Sequence, residues 1–359
     1  MQYATLGNTG ALVSRLCLGT MTFGAEVSAA QPIGGVDREQ VDRILGRAMD
    51  AGINFLDTAD VYGSGASETV LGEVMGSRRD HWVIATKFNG RMGSGVNDVG
   101  QSRLHLHRAL DASLRRLRTD YVDLYQVHNF DPITPLEETL RALDDVVRAG
   151  KVRYIGCSNY AAWQLLKALG ISERNGFSRF ATVQSFYSLV GRDVERELLP
   201  AIESERVGLL CWSPLAGGLL SGHVDRQSAP APGTRRAHVA FPPVNEDRVF
   251  GAVAVLREIA LQRATTVPSI AVAWLLSRPG VCSVICGLSK EAHLDSHLAA
   301  IDLELDDEEL DRLSRATQAP ASYPGWIQTY RASGRTPEGF PQCRPSWGPG
   351  ETPLEPWPH

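Results

Sequence analysis

The sequence predicts an α/β protein folded as a (β/α)8 barrel, the TIM barrel, with an N-terminal β-hairpin and extra helices. Eight short apolar segments have the length of buried parallel strands, and amphipathic helical segments separate them. A chain of 359 residues suits one such barrel with insertions. An open doubly wound sheet is disfavoured because no Gly-x-Gly-x-x-Gly pattern follows the first strand.

The strands follow one another in a regular order along the chain. The segment LGNTG at 6–10 predicts the turn of a hairpin that caps the bottom of the barrel. The barrel strands are predicted at 16–18, 53–56, 83–85, 122–127, 152–155, 182–184, 208–211 and 283–285. Because helical segments lie between them, we expect these strands to be parallel and to close into a cylinder.

The helices carry recognisable start signals. Asp37 and Gln40 form a capping-box pattern before an apolar stripe at helical spacing. Ser102 predicts the start of a second helix, and Leu136 opens the stripe of a third. An additional helix is predicted at 247–263.

Several segments exceed what a barrel needs. Three of them follow strands and are expected to shape the active-site face: 25–36, 89–100 and 221–246. The stretch 333–359 is rich in proline and glycine without periodicity, which predicts a disordered or surface-draped tail. We therefore predict a single barrel domain over 1–332.

Composition excludes several classes of protein. Apolar residues make up 43% of the chain and charged residues 21%, as in ordinary globular proteins. A net charge of -5 and an isoelectric point near 6.0 give no electrostatic reason to expect binding to nucleic acid or to an anionic membrane. No run of about 18 apolar residues occurs, so we expect no membrane span. The polar segment after Met1 predicts no signal peptide, and the six scattered cysteines predict no metal site and a reducing cytoplasm.

Four ionisable residues lie at or just beyond the ends of the second, third and fourth barrel strands: Asp57, Tyr62, Lys87 and His128. Taken singly, each has an ordinary structural explanation, such as a turn, a solvated surface lysine or a buried histidine. The carboxyl ends of barrel strands meet on the face where active sites are built. A carboxylate, a phenol, an amine and an imidazole at that face predict a proton-transfer site.

Five segments of the chain resemble the aldo-keto reductase superfamily. They occur in the family's order over roughly nine tenths of the chain: LGNTGALVSRLCLGTMTFG, INFLDTADVYG, TDYVDLYQVHN, GKVRYIGCSNY and CWSPLAGGLLSG. The resemblance is closer to the bacterial branch that is also similar to potassium-channel β subunits than to the aldose-reductase branch. It implies a general acid–base role for Tyr62, whose pKa Lys87 lowers while Asp57 orients Lys87. It also implies that His128 hydrogen-bonds the substrate oxygen.

The resemblance further implies a nicotinamide cofactor, with NADP preferred and NAD as the alternative. It assigns Ser158, Asn159 and Gln184 to the nicotinamide carboxamide and Trp212 to stacking on the ring. It assigns Gly19, Thr20 and Met21 to the ribose, and it counts Asp57 among the cofactor-binding residues as well. A pyrophosphate loop is implied at Ser213, Leu215, Gly217 and Gly218. Apart from the resemblance, the alternative interpretation of Ser158 and Asn159 is that they form the N-cap of the next helix.

The adenosine end is assigned to the segment containing Gly287, Ser289 and Lys290, with Arg235 as a further phosphate contact. A fixed positive charge at Lys290 favours NADP over NAD. The chain departs from the family pattern nearby, because Ser296 and His297 replace the usual Glu-Asn pair and His223 replaces a common lysine.

Three functions follow from these residues. The first is interconversion of small-molecule aldehydes or ketones with alcohols by hydride transfer. The second is a cofactor-binding regulatory subunit, similar to channel β subunits, that senses redox state with little turnover. The third is a Schiff-base aldolase, because lysines at barrel strand ends support that chemistry.

Overall fold

The computed structural model describes residues 1–24, 35–224, 236, 239–288, 290–319 and 322–332. The predicted hairpin is confirmed: β1 (Tyr3–Thr5) and β2 (Leu12–Ser14) pair antiparallel. The barrel strands are β3 (Leu16–Gly19), β4 (Phe55–Asp57), β5 (Val83–Phe88), β6 (Val122–Val127), β7 (Val152–Ser158), β8 (Phe180–Phe186), β9 (Gly208–Trp212) and β10 (Val281–Gly287). Several predictions fall on residues outside the described ranges: 25–34 of the first insertion, 225–235 (with Arg235) and 237–238 of the third, Ser289, and the tail 333–359.

The eight strands form a closed parallel barrel in the order β10-β3-β4-β5-β6-β7-β8-β9. This confirms the (β/α)8 architecture. The predicted strand ends at 85, 155, 184 and 285 fall two or three residues short, because these strands continue beyond the ends that the apolar runs predicted. Lys87 lies inside β5 rather than beyond it, and Gln184 lies two residues before the end of β8.

The helices that surround the barrel are α1 (Arg38–Asp50), α2 (Ala66–Met75), α3 (Arg103–Leu117), α4 (Leu136–Arg148), α5 (Ala162–Asn175), α6 (Leu198–Glu205), α7 (Glu246–Gln262), α8 (Val267–Leu276), α9 (His293–Ala299), α10 (Asp307–Thr317) and α11 (Gly325–Ala332). The capping box of Asp37 and Gln40 is confirmed, and Ser102 caps α3. The extra helix α7 begins and ends one residue before its predicted bounds.

Two layers of side chains fill the inside of the barrel. The lower layer is apolar and is closed from below by Leu6 and Val13 of the hairpin region; it includes Cys17, Phe55, Ala85, Leu124 and Leu210. Side chains two residues apart on a strand point to the same side. The residues two positions beyond Phe55, Ala85 and Leu124 are Asp57, Lys87 and Gln126. The strand period therefore places a polar layer directly above the apolar one.

A second apolar core lies between the strands and the helices, with Leu18, Ile84 and Val183 among its buried residues. This core fixes the position of the strand ends that carry the polar layer. In the described parts of the chain, no single helix is both long enough and apolar enough to cross a membrane. Only α7 and α8 taken together, which meet at a bend of 101°, satisfy the length and composition criteria.

Candidate active site

Lys87 lies at the centre of the polar layer and is fully buried. Its Nζ donates to Asp57 Oδ1 at 2.5 Å, to the Thr58 carbonyl at 2.8 Å and to Tyr62 Oη at 3.3 Å. An ammonium group has three N–H donors, so these bonds account for all of them. The phenol oxygen of Tyr62 is the acceptor in the third bond, which leaves its own proton uninvolved in that bond.

The opposite charges of Lys87 and Asp57 stabilise each other. Burial by itself lowers the pKa of Lys87. The Asp57 carboxylate and Tyr62 raise it by more than burial lowers it, so the pKa of Lys87 is raised overall. A Schiff-base lysine needs a neutral amine at neutral pH. The protonated, fully bonded Lys87 amine therefore argues against the aldolase hypothesis.

The second carboxylate oxygen of Asp57 is held by two amides. Gln184 Nε2 donates to Asp57 Oδ2 at 2.8 Å, and Gln126 Nε2 donates to the same oxygen at 3.2 Å. Sequence reasoning predicted Gln184 as a cofactor residue but missed Gln126. A signal was present, because Gln126 is a polar residue two positions before His128 in the strand that leads to it.

Tyr62 and His128 lie side by side. Tyr62 opens a 3-10 helix (Tyr62–Gly65) after β4, in which Gly63 and Ser64 have φ values of 59° and 53°. Its ring meets the His128 ring edge-on, with 5.9 Å between centroids. Burial and the nearby Lys87 cation lower the pKa of His128 to about 3. The imidazole is therefore neutral at physiological pH and can donate one N–H to a ligand oxygen.

The residues predicted to bind the nicotinamide lie beside this cluster. Ser158 ends β7, and its buried Oγ has no hydrogen-bond partner among the described residues. Asn159 follows with a φ of 57°, and its Nδ2 donates to the His128 carbonyl at 3.0 Å. Trp212 Nε1 donates to Asn159 Oδ1 at 3.0 Å. Because α5 begins at Ala162, the alternative that Ser158 and Asn159 cap it was wrong.

An orphaned buried hydroxyl is unfavourable unless a ligand completes it. The unpartnered Oγ of Ser158 therefore fits a polar group such as a carboxamide. Gly19, Thr20 and Met21 lie at the end of β3, where the ribose was predicted. The Thr20 hydroxyl is within 3.1 Å of the Asp57 carbonyl and 2.8 Å of Ser67 Oγ, so its described bonds are internal.

The predicted pyrophosphate loop follows β9 and has an unusual backbone. Ser213, Gly217 and Gly218 have φ values of 54°, 69° and 97°. Ser213 Oγ accepts from the Gly217 amide at 3.0 Å, and the Gly218 amide donates to the Leu215 carbonyl at 2.9 Å. A Cβ on Gly217 would lie 2.7 Å from the Phe241 carbonyl, whereas the space beside Gly218 is open. The loop therefore leaves room at Gly218 for the close approach of a phosphate.

The predicted adenosine end lies at the end of β10. Gly287 and Lys290 are exposed, and nothing lies within 4 Å of a Cβ built on Gly287. His297, which replaces a family asparagine, is instead buried, and burial together with His293 lowers its pKa to about 4. The Ser296 carbonyl accepts from Ser269 Oγ at 2.8 Å.

A cavity of about 650 Å³ opens next to the cluster. Its lining includes Asn129, Asn159, Phe186, Trp212, Phe241 and Arg248. The Trp212 ring stacks on the Phe241 ring with 5.6 Å between their centroids. The Phe186 ring is tilted relative to the Trp212 ring, with 5.0 Å between their centroids. Sequence reasoning missed Phe241 because it lies in an insertion without a readable pattern.

A second buried charged group lies behind the Tyr62 loop. Glu68 of α2 accepts from Thr86 at 2.5 Å and from Arg116 Nε at 2.7 Å. Asp60 is fully buried nearby. Burial and the Glu68 carboxylate raise the pKa of Asp60 to about 7, and the weaker opposing effects include the Arg116 cation.

This pKa predicts that Asp60→Asn stabilises the protein at neutral pH. The pKa of Asp60 is higher in the folded state, about 7, than the ordinary value of 3.8 expected in the unfolded state. Such a group destabilises the folded protein increasingly as the pH rises from the lower pKa toward the higher one. We expect the variant to gain roughly 2–4 kcal/mol in unfolding free energy at about pH 8 and little at about pH 4. Urea unfolding at both pH values measures this, with the exposed Asp80→Asn as the control. An equal effect of Asp60→Asn at both pH values would contradict the prediction.

The closed parallel barrel and the cluster of Asp57, Tyr62, Lys87 and His128 at its strand ends are typical of an enzyme class that works by acid–base chemistry. Comparison with known proteins identifies the family. The aldo/keto reductase family model matches residues 15–318. The chain therefore belongs to the aldo/keto reductase family, a family of oxidoreductases that use nicotinamide cofactors. This confirms the resemblance found in the five sequence segments.

Relatives with different functions cover nearly the whole chain. The uncharacterized oxidoreductase YrpG of Bacillus subtilis is 36% identical over 95% of this chain and 99% of its own length. Versiconal hemiacetal acetate reductase of Aspergillus parasiticus is 33% identical over 90% of this chain and 99% of its own. A probable voltage-gated potassium channel subunit beta of Arabidopsis thaliana is 35% identical over 92% and 100%, respectively.

Proposed function

We propose that the protein interconverts small-molecule aldehydes or ketones with alcohols, using NADPH in preference to NADH and Tyr62 as the general acid. The observation that carries this proposal is the position of Lys87 Nζ, between Asp57 Oδ1 at 2.5 Å and Tyr62 Oη at 3.3 Å. A free phenol has a pKa of about 10 and is a poor acid at neutral pH. A buried cation beside the phenol stabilises the phenolate, lowers the pKa of the phenol and so makes the phenol a better acid.

Each residue of the cluster then has one task. A bound nicotinamide would supply or accept the hydride. Tyr62 gives its proton to the carbonyl oxygen, and Lys87 stabilises the phenolate that remains. The neutral imidazole of His128 donates an N–H to the same oxygen as negative charge develops on it. In alcohol oxidation the Tyr62 phenolate takes the hydroxyl proton instead.

The chain also offers groups that would hold the cofactor. Ser158 with its unpartnered hydroxyl, Asn159 and Gln184 would bind the carboxamide, and Trp212 would stack on the ring. The loop 213–218, which leaves open space beside Gly218, would lie against the pyrophosphate. The exposed ammonium of Lys290 would pair with a 2′-phosphate.

The experiment that tests the proposal is steady-state turnover of the purified protein. We expect NADPH consumption with a panel of aliphatic and aromatic aldehydes, and NADP reduction with the corresponding alcohols. The aromatic lining of the cavity favours substrates with an apolar body. Tight NADPH binding without turnover on the whole panel would contradict the proposed enzyme.

The similarity to a plant channel β subunit favours a second candidate function. In it, the protein binds the cofactor and reports its redox state to a partner with little turnover. The same experiment separates the two, because a sensor would bind NADPH and NADP with different affinities and consume neither.

The cofactor preference gives a separate prediction. Lys290→Met removes the charge assigned to the 2′-phosphate, and a hydrogen bond to a charged group contributes about 1.5–3 kcal/mol. We expect the Kd for NADPH to rise about 10- to 100-fold, with little change for NADH. Fluorescence titration measures both, and the exposed Lys167→Met is the control. Equal losses for the two cofactors would count against this assignment.

A further inference from the structure

Gln126 is a buried residue of the polar layer to which the proposed mechanism gives no task. It is fully buried on β6, and its Nε2 lies 3.2 Å from Asp57 Oδ2. Its own Oε1 accepts from Gln184 Nε2 at 3.4 Å. These two contacts fix the orientation of the amide, because the oxygen faces Gln184 while the nitrogen faces Asp57.

The backbone makes space for this arrangement. In the barrel register Gln126 lies opposite Lys87 on one side and Gly156 on the other. A Cβ on Gly156 would lie 3.3 Å from Gln126 Cγ and 2.5 Å from Thr182 Oγ1. The missing side chain on β7 therefore leaves interior room that Gln126 and Thr182 occupy from the neighbouring strands.

The contact matters because a buried ion pair can neutralise itself. If the proton moves from the Lys87 ammonium to the Asp57 carboxylate, two neutral groups remain, and burying them costs less than burying charges. A neutral amine no longer stabilises a phenolate at Tyr62. Amide donors on the second carboxylate oxygen favour its charged form and so oppose that transfer.

We propose that Gln126 is a positioning residue: together with Gln184 it keeps the Asp57 carboxylate charged and directed at Lys87, and thereby keeps Tyr62 acidic. The inference rests on the proposed proton transfer by Tyr62. Gln126 acts on that step through Asp57.

The first test is Gln126→Met, which keeps the length of the side chain and removes the donor. Ionisation of Tyr62 is followed by the near-ultraviolet absorbance of the phenolate, as the difference between each protein and the same protein carrying Tyr62→Phe. We expect its midpoint to move up by about one pH unit, because one charge-stabilising hydrogen bond is lost. Alcohol oxidation at neutral pH should fall about ten-fold in parallel.

The control is Thr182→Val, which changes a buried side chain close to Gly156 and Gln126 and removes no described hydrogen bond to Asp57. Its hydroxyl has no hydrogen-bond partner among the described residues, so the midpoint should stay at the wild-type value. An unchanged midpoint in Gln126→Met would overturn the proposal, even if that variant were less stable. A shift of the same size in Thr182→Val would overturn it as well, since a change in packing near Gln126 would then suffice without loss of a hydrogen bond to Asp57.

The second test is Gln126→Glu, which preserves the size of the side chain. When protonated, the new carboxyl can donate to Asp57 Oδ2; when ionised, it cannot donate and adds a like charge. We expect near wild-type alcohol oxidation at low pH and an additional loss as pH rises. A profile with the shape of the wild-type one would overturn the proposal, and this variant decides alone if Gln126→Met does not fold.

The two proposals fail in different ways. A wild-type protein that turns over no carbonyl or alcohol contradicts the proposed function. The phenolate titration needs no turnover, so it still shows whether Gln126 controls the acidity of Tyr62.

Discussion

Tyr62→Phe is expected to lower kcat for carbonyl reduction by at least about 10²- to 10⁴-fold, the usual contribution of a positioned general acid. The variant keeps the aromatic ring against His128 and removes only the hydroxyl that accepts from Lys87 at 3.3 Å. His128 then remains as the proposed hydrogen-bond donor to the substrate oxygen, and its neutral imidazole is a far weaker acid than a phenol. Steady-state kinetics with saturating NADPH measures the loss.

The loss should appear in kcat and leave cofactor binding intact. The Kd for NADPH, followed by fluorescence, should stay within about two-fold of wild type, since a difference this small is below 0.5 kcal/mol. Tyr125→Phe is the matched control, because Tyr125 is also a buried tyrosine but its hydroxyl lies 3.4 Å from the Leu106 carbonyl on the helix side of the barrel. A decrease of less than ten-fold in Tyr62→Phe would contradict general-acid catalysis by this residue.

The sequence alone was sufficient to locate most of the acid–base cluster. Asp57, Lys87 and His128 were recognised because each terminates or follows an apolar run, and parallel strands bring such ends to one face. Their contacts also follow the strand period, since Asp57 and Lys87 lie two residues above Phe55 and Ala85 of the apolar layer. The prediction therefore needed only the strand positions and the closure of the barrel.

The contacts between distant strands could not be predicted in the same way. Gln184 was assigned to the cofactor, yet its amide also donates to Asp57, 127 positions earlier in the chain. Gln126 was missed because its position before His128 shows that it is polar and near the site, but does not show which group it contacts. Whether its side chain crosses the barrel depends on the empty place at Gly156, which strand patterns do not reveal.

Contacts made by an insertion, and side-chain pairs between neighbouring helices, were equally hidden from the sequence. Phe241 stacks on Trp212 from an irregular segment, and the Arg116–Glu68 pair joins α3 to α2 behind the Tyr62 loop. Apolar periodicity locates helices and strands, but the path of a loop is decided by tertiary packing. The shape of the substrate pocket was therefore the least predictable part of the site.

Lys87→Met is expected to reduce both activity and stability, because one ammonium serves both. Without it the phenolate of Tyr62 loses its stabilising cation, so reduction should fall toward the level of Tyr62→Phe, in which the acid itself is missing. Asp57 is left as a buried carboxylate, 2% exposed, without its counter-ion. Removing one partner of a buried ion pair typically costs about 3–5 kcal/mol. The two amide donors on Oδ2 remain, so we expect the lower end of that range in urea unfolding.

The double variant Lys87→Met with Asp57→Asn separates these two effects. Its neutral amide needs no counter-ion, so most of the lost unfolding free energy should return, and the double-mutant cycle should show a coupling of about 1–3 kcal/mol. Turnover should not return, because the cation beside Tyr62 is still missing. Recovery of turnover together with stability would show that Lys87 acts only in folding, and the proton-transfer role assigned to it would be wrong.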